Sequence, residues 1–325
     1  MSTISVVVPL YNEEENVREL VRRISTIMDR VTAGGDTYEL VAVNDGSHDG
    51  TLAMLRAELV AHPQLVIVDL SRNFGHQIAA TAGLDQTRGD AVVLMDGDLQ
   101  DPPELIERFV EKWREGYDVV YATRKVRKGE SFFKVLTAQI FYRTIRRLTN
   151  VSIPVDTGDF RLMSRRVVDA LGQTREKHRF LRGLVSWVGY RQTGVEYERD
   201  ARYSGTTKYP FSKMFKFAID GITSFSEIPL RFASYLGFII SSFAFVYIAI
   251  VLVLKILHLN EPGYTSIIVS VLFLGGVQLI GIGILGEYIG RIYDQVKARP
   301  LYLLASVDRA PVAVVTAAVR EPIAP

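Results

Sequence analysis

Two carboxylates separated by one glycine, Asp96-Gly97-Asp98, end an apolar run and are followed by Leu99-Gln100-Asp101-Pro102-Pro103. Such a pair can approach one hard divalent cation, and Mg²⁺ takes one or two carboxylates while completing its shell with phosphate oxygens. A diphosphate leaving group needs that positive charge as its bond breaks. Taken alone, the same residues also read as a solvated acidic turn, because Asp-Gly and Pro-Pro are ordinary turn chemistry. Two more polar clusters follow apolar runs in the same way. They are Pro9-Leu10-Tyr11-Asn12-Glu13-Glu14 and Asn44-Asp45-Gly46-Ser47-His48-Asp49-Gly50.

The runs before these clusters read as strands: residues 4–8, 40–43 and 91–95, with a further one at 65–68. Residues 16–30 carry Val17, Leu20, Val21, Ile24 and Ile27 at helical spacing, and helical stretches fit over 51–59 and 77–86. Near-continuous apolar strands alternating with helices predict an α/β domain whose mostly parallel sheet is covered on both faces. Ligands of such sheets bind beyond the carboxyl ends of the strands, which is where the three polar clusters fall.

The ordered motifs Val-Val-Val-Pro-Leu-Tyr-Asn-Glu-Glu-Glu-Asn, Asn-Asp-Gly-Ser-His-Asp-Gly-Thr and Met-Asp-Gly-Asp-Leu-Gln-Asp-Pro-Pro-Glu resemble the family 2 glycosyltransferases of the GT-A (Rossmann-like) fold. Within them they resemble the polyisoprenyl-phosphate glycosyltransferases, which include dolichyl-phosphate mannose synthase. Ser71-Arg72-Asn73-Phe74-Gly75-His76-Gln77 and two C-terminal apolar runs are most similar to the bactoprenol (undecaprenyl-phosphate) glucosyltransferase branch. The resemblance implies that Pro9, Leu10, Tyr11 and Glu13 line the nucleoside pocket and that Asp45 meets the uracil or ribose. It implies that Arg72 and Gln77 also contact the nucleotide sugar. Asp96 and Asp98 form the Asp-x-Asp signature around Gly97, where relatives often carry Ala. Asp96, Asp98 and Gln100 are the implied ligands of Mg²⁺ or Mn²⁺.

In similar enzymes the segment Asp156-Thr157-Gly158-Asp159-Phe160-Arg161 lies beside the donor sugar and accepted phosphate, which makes Asp159 the candidate base or positioning carboxylate. A phosphate monoester has its second pKa near about 6, so orienting the acceptor oxygen matters more than removing a proton from it. An anionic acceptor also needs cations. Arg124, Arg127 and Lys128 follow the apolar run 119–121, and Arg202, Ser204 and Lys208 sit in a segment similar to the family's Arg-x-x-Gly-x-Ser-Lys-Tyr element, with Thr207 replacing its Ser. Arg grips phosphate with paired donors and Lys adds a point charge. Solvated loops or contacts to anionic lipid are the other reading of these basic runs.

Residues 232–254 and 265–286 contain no Asp, Glu, Lys or Arg, and each run exceeds the roughly 20 residues a helix needs to cross a bilayer. Lys213, Lys216 and Arg231 precede the first run, and Arg291, Lys297 and Arg299 follow the second. By the positive-inside rule both ends are expected in the cytoplasm, with the intervening turn outside. Phe211, Phe215, Ala218, Ile222 and Phe225 recur at helical spacing and predict an amphipathic helix at the membrane surface; a helix packed on the catalytic core is the alternative. The expected organisation is a catalytic domain over 1–209, an interfacial helix over 210–228, two transmembrane helices over 229–290 and a cytoplasmic tail over 291–325. Gly281-Ile-Gly-Ile-Leu-Gly286 matches a dinucleotide-binding pattern but lies inside an apolar run, so close helix approach and self-association are the better account.

Composition narrows the field. The 325 residues hold 38 Lys+Arg and 36 Asp+Glu, a net charge of +2, and no Cys. That balance does not suit a nucleic-acid binder, and without Cys there is no disulfide, thiol nucleophile or thiolate metal site. Residues 1–8 lack a basic stretch followed by an apolar run, so no signal peptide is expected. The expected activity is an inverting transfer of a hexose, glucose first, from a UDP-sugar to polyprenyl phosphate at the cytoplasmic membrane face. GDP-mannose as donor is the alternative. A processive polysaccharide synthase fits less well, because Arg179-Phe180-Leu181-Arg182 and Trp187 do not make its Gln-x-x-Arg-Trp motif. A nucleotide-sugar-binding scaffold is disfavoured by the retained acidic pair.

Overall fold

The run Ile4–Val8 is apolar at four of five positions because both its faces are buried. In the computed structural model, which describes residues 1–124, 157–197, 228–257 and 263–310, it forms the middle of β1 (Thr3–Leu10). Ile4, Val6, Val8 and Leu10 enter one hydrophobic cluster, and Val7 enters the other. The period-2 alternation of a strand thus feeds two cores. β1 pairs in parallel with β2 (Thr37–Asn44) on one side and β4 (Ala91–Leu94) on the other; β2 pairs in parallel with β3 (Leu65–Leu70). The connecting helices are α1 (Glu14–Val31), α2 (Thr51–Ala61) and α3 (His76–Gln86). α1 buries Val17, Leu20, Val21, Ile24 and Ile27, the stripe read from the sequence.

Beyond β4 come α4 (Leu105–Arg114), β5 (Val119–Arg124), β6 (Thr157–Ser164), α5 (Arg165–Gln173), α6 (Leu181–Trp187) and β7 (Gln192–Tyr197). β6 inserts antiparallel between β4 and β5, and β7 pairs in parallel with β5. The eight-stranded sheet runs β7-β5-β6-β4-β1-β2-β3-β8. Its pairs are mostly parallel, as expected of a GT-A sheet.

Two helices, α7 (Ile228–Ile256) and α8 (Tyr264–Val296), follow and contact each other. At about 1.5 Å per residue both are longer than the roughly 30 Å hydrocarbon layer of a bilayer. Their apolar windows, Leu230–Tyr247 and Val269–Val296, are not buried within the protein. Phe238 is 77% exposed and Phe243 is 72% exposed, an arrangement that water penalises and lipid accepts. The glycine-rich stretch 281–286 lies within α8.

The chain then returns to the eight-stranded sheet. β8 (Leu304–Arg309) pairs antiparallel with β3 and closes that edge; Ser71 N donates to Leu303 O at 2.9 Å, and Arg56 Nε meets Asp308 Oδ2 at 2.8 Å. The proposed interfacial helix (residues 210–228) lies outside the described residues up to position 227. Residues 125–156, 198–227 and 311–325 are likewise outside them.

Candidate active site

Three loops meet at the carboxyl ends of β1, β2 and β4, and backbone contacts stitch the first two together. Asp45 N donates to Leu10 O at 2.9 Å. His48 N donates to Asn12 Oδ1 at 2.9 Å, and Asn12 N donates to Ser47 Oγ at 3.0 Å. Asn12 takes φ 53°, a left-handed conformation Asn tolerates. Tyr11 is 40% exposed and stands edge-on to His48, with 6.4 Å between ring centroids. Glu13 N donates to Thr51 Oγ1 at 3.0 Å, and its carboxylate accepts from Asn16 Nδ2. Pro9 lies buried within β1. Leu10 is also buried, so it faces the core with its side chain and the loop with its carbonyl.

Asp45 is buried, and both its oxygens are used: Oδ1 accepts from Phe74 N at 2.7 Å and Oδ2 from Gly75 N at 2.9 Å. Burial pushes its carboxyl above the usual range, against the pull of those two amides and of His76 and Arg72. The carboxylate therefore shapes the turn that carries Arg72, whose guanidinium lies 4.2 Å over the Phe74 ring. Gly46 has φ +62°, and a Cβ there would lie 2.4 Å from Arg72 C and 2.5 Å from Asn73 N. Neither neighbour is a side chain that can swing away. Gly46→Ala is expected to cost about 1–3 kcal/mol of stability through strain. A thermal melt checks this, and an unchanged melting temperature would contradict it.

The acidic loop follows β4. A Cβ on Gly97 would lie 2.3 Å from Leu10 Cδ2, so the Leu10 side chain occupies the space an alanine here would need. Leu99 is buried with φ 56°, an unusual conformation for a branched residue and of the kind concentrated at functional loops. It leaves Asp98 and Gln100 on one turn, with Gln100 N donating to Asp98 Oδ1 at 3.1 Å.

The sheet register brings the two sequence-predicted carboxylates together. Leu94 of β4 is paired with Arg161 of β6, and carrying that register two residues on puts Asp96 opposite Asp159. Asp159 is buried among cations: Arg182 Nε donates to its Oδ1 at 2.7 Å, His76 Nε2 lies 3.5 Å from its Oδ2, and Arg161 Nη2 lies 3.8 Å from its Oδ1. Gln77 Nε2 donates to Oδ2 at 3.1 Å. Burial alone would raise the Asp159 carboxyl, but the Arg182 charge, the His76 and Arg182 hydrogen bonds and the Arg161 charge hold it well below the ordinary carboxylate range. Arg161 is itself buried and donates to Gly158 O at 2.8 Å and Asp159 O at 3.2 Å. The His76 side chain is 43% exposed; desolvation of its inner face opposes the charge, yet its hydrogen bond to Asp159 and the charges of Asp96 and Asp159 raise it to about 9.

Asp96 stands differently. Burial raises its carboxyl to about 6; His76 opposes the rise, and Asp159, Asp101 and Asp98 add to it. Its Oδ1 is buried without a hydrogen bond, since His76 Nε2, 3.3 Å away, is not aligned for one. An orphaned carboxylate oxygen in an acidic cluster is a fitting ligand for a divalent cation. One ligand atom each from His76, Asp96 and Asp159 lies within 4.8 Å of the others, so this group can hold a metal, the imidazole giving up its proton to do so.

Of the residues singled out from sequence, Asp96, Asp159 and Gln77 converge in one place, and Asp98 and Gln100 share the adjoining turn. Arg124 ends β5, where its backbone pairs with Tyr197. Arg127, Lys128, Arg202, Ser204 and Lys208 lie outside the described residues. Three cations were not anticipated as site residues. Arg161 follows Asp159 by two positions on β6 and so shares its face, a signal the sequence does hold once the strand is recognised. His76 opens α3 beside Gln77. Arg182 has no local signal, being brought to Asp159 by α6.

Comparison with known proteins agrees with this architecture. Residues 5–172 match the family described as Glycosyl transferase family 2, and residues 228–292 match the GtrB C-terminal hairpin. The chain is 52% identical to the uncharacterized glycosyltransferase YkcC of Bacillus subtilis, over 92% of this chain and 92% of that one. It is 51% identical to the uncharacterized glycosyltransferase sll0501 of Synechocystis, over 94% and 95%. It is 44% identical to the bactoprenol glucosyl transferase of Shigella phage SfX, over 93% and 99%. The chain belongs to the family 2 glycosyltransferases. It is a membrane-associated glycosyltransferase in which a GT-A-type sheet is joined to a two-helix hairpin.

Proposed function

We propose that this enzyme transfers glucose from UDP-glucose to undecaprenyl phosphate, or a similar polyprenyl phosphate, with inversion at the anomeric carbon. The observation that carries the reading is the pairing of Asp96 with an ionised, cation-ringed Asp159 at the strand ends in a chain that also carries a membrane hairpin. The bactoprenol glucosyl transferase names of its relatives supply the sugar and the lipid.

The acceptor phosphate oxygen attacks the anomeric carbon from the face opposite the diphosphate. The bond from that carbon to the β-phosphate oxygen breaks, and UDP leaves with the electron pair. Tyr11, Glu13, Asp45 and Arg72 hold the nucleoside. Asp96, Asp98 and Gln100 would hold Mg²⁺ or Mn²⁺, which would neutralise the charge developing on the departing diphosphate, while His76 keeps its proton beside Asp159. Asp159 orients the acceptor and sugar, and Arg182 and His76 keep it ionised. Arg124, Arg127, Lys128, Arg202, Ser204 and Lys208 receive the lipid-borne phosphate at membrane height.

In this reading residues 1–209, joined by β8 from beyond the hairpin, form the catalytic unit, 210–228 an interfacial helix, and 229–290 a hairpin crossing the inner membrane twice. Residues 291–325 return to the cytoplasm. Arg231 before the hairpin, and Arg291, Lys297 and Arg299 after it, orient both ends inward. Gly286 and Gly290 give α8 a face for self-association into a homo-oligomer.

A screen of UDP-glucose, UDP-galactose, UDP-N-acetylglucosamine and GDP-mannose against one polyprenyl phosphate tests the proposal. UDP-glucose is expected to give the highest kcat/KM for a lipid-linked monosaccharide. Preference for GDP-mannose, or a long polymer as product, would overturn it.

A further inference from the structure

The connection between α5 and α6, residues 174–180, is gripped by the end of the second apolar helix. Gln295, in the last turn of α8, meets it with both ends of its amide. Its Oε1 accepts from Lys177 N at 3.0 Å, and its Nε2 donates to Arg175 O at 3.2 Å. Lys177 Nζ returns the contact by donating to the carbonyls of Arg299 and, at 3.3 Å, Pro300. A few residues further on, the same stretch enters α6. There Leu181 N donates to Gln77 Oε1 at 2.9 Å, and Arg182 Nε donates to Asp159 Oδ1 at 2.7 Å.

α6 has only seven residues. A helix of under two turns has little stability of its own, so the position of its first turn is set by how the chain entering it is held. Gln295 fixes two backbone groups of that entering chain, one on each side of residue 176. The Arg182–Asp159 contact is a directional charge-assisted hydrogen bond and is sensitive to small displacements of α6.

We propose that Gln295 is a positioning residue for Arg182, and that seating the membrane hairpin on the 174–180 connection completes the cation set around Asp159. Membrane anchor and catalytic carboxylate are then mechanically one unit, and the site is fully formed only when the hairpin is docked. The proposal rests on the reading of Asp159 as the orienting carboxylate.

The test is a double-mutant cycle on the full-length protein in lipid nanodiscs, with UDP-glucose and undecaprenyl phosphate as substrates. Gln295→Ala is expected to lower kcat about tenfold, because small misplacements of a positioning group are costly, while the KM for donor moves less than about twofold. Gln295→Met, which keeps the side-chain volume, should behave alike and stands in if the alanine variant folds poorly. In an Arg182→Lys background either substitution should lower kcat by less than about twofold, since residues acting through one another are not additive. Full kcat in both Gln295 variants would overturn the proposal. So would losses that multiply with Arg182→Lys, because a merely structural role lowers activity whatever stands at position 182. Asp159→Asn separates the two ideas. If it stays active, the reading of Asp159 has failed; if it is inactive while the cycle multiplies, only the role of Gln295 has.

Discussion

Asp159→Asn is expected to slow transfer by about 10²–10⁴-fold, the range for loss of a positioned acid–base or charge-orienting group, while UDP affinity changes by no more than a few-fold. The carboxylate is buried against Arg182, His76 and Arg161, and three cations left facing a neutral amide lose the charge that fixes their geometry. The loops after β1 and β2 keep their mutual hydrogen bonds, Asp45 N to Leu10 O and His48 N to Asn12 Oδ1, in which Asp159 takes no part. Single-turnover rates and UDP titration on the same sample separate the two effects. A variant that turns over at the parent rate would remove Asp159 from the mechanism.

The pH dependence follows from the same charges. Asp159 is held well below the ordinary range by its cations despite burial, so it stays ionised throughout the working range and contributes no limb near neutrality. The acceptor phosphate loses its second proton near about pH 6. The single-turnover rate should therefore rise with pH through about 6, where the Asp96 carboxyl also ionises, and level off until His76 loses its proton at about 9.

Asp98→Ala, or removal of divalent cations by a chelator, is expected to cut transfer about 10³-fold or more, since a cation on a diphosphate leaving group supplies several kcal/mol of transition-state stabilisation. Asp98 lies on the turn held by the unusual Leu99 conformation, next to the orphaned Asp96 oxygen. The substitution removes a charge from the loop without touching either hydrophobic cluster, so the melting temperature should hold. Returning Mg²⁺ or Mn²⁺ should restore the chelated parent but not the variant. Near-normal turnover by folded Asp98→Ala would refute the metal role.

The central strands were legible because strands buried on both faces are written as unbroken apolar runs; β1 to β4 fall where those runs predict. β6 is different. Gly158, Phe160 and Leu162 alternate with Asp159, Arg161 and Met163, and two charges on one face disguise a strand that is buried throughout. β8 was not legible either, because Leu304-Ala-Ser-Val-Asp-Arg309 becomes a strand only by pairing with β3, more than two hundred residues earlier in the chain. The site divides along the same line. Asp96 and Asp98 announce themselves as a local motif, whereas the approach of Asp96 to Asp159 around His76 follows from the β4–β6 register, and Arg182 arrives on a seven-residue helix. Leu10 shows a further limit: a residue adjoining the nucleoside loop in sequence points its side chain into the core, beneath Gly97.

The most direct measurement counts, in one reaction, UDP released and glucose label recovered in the organic phase after incubating the full-length enzyme with labelled UDP-glucose, undecaprenyl phosphate and Mg²⁺ or Mn²⁺. One UDP per labelled lipid, with both products absent when lipid phosphate or cation is withheld, is the predicted result. Label appearing as free glucose or polymer, or lipid labelling undiminished by chelation, would contradict the account.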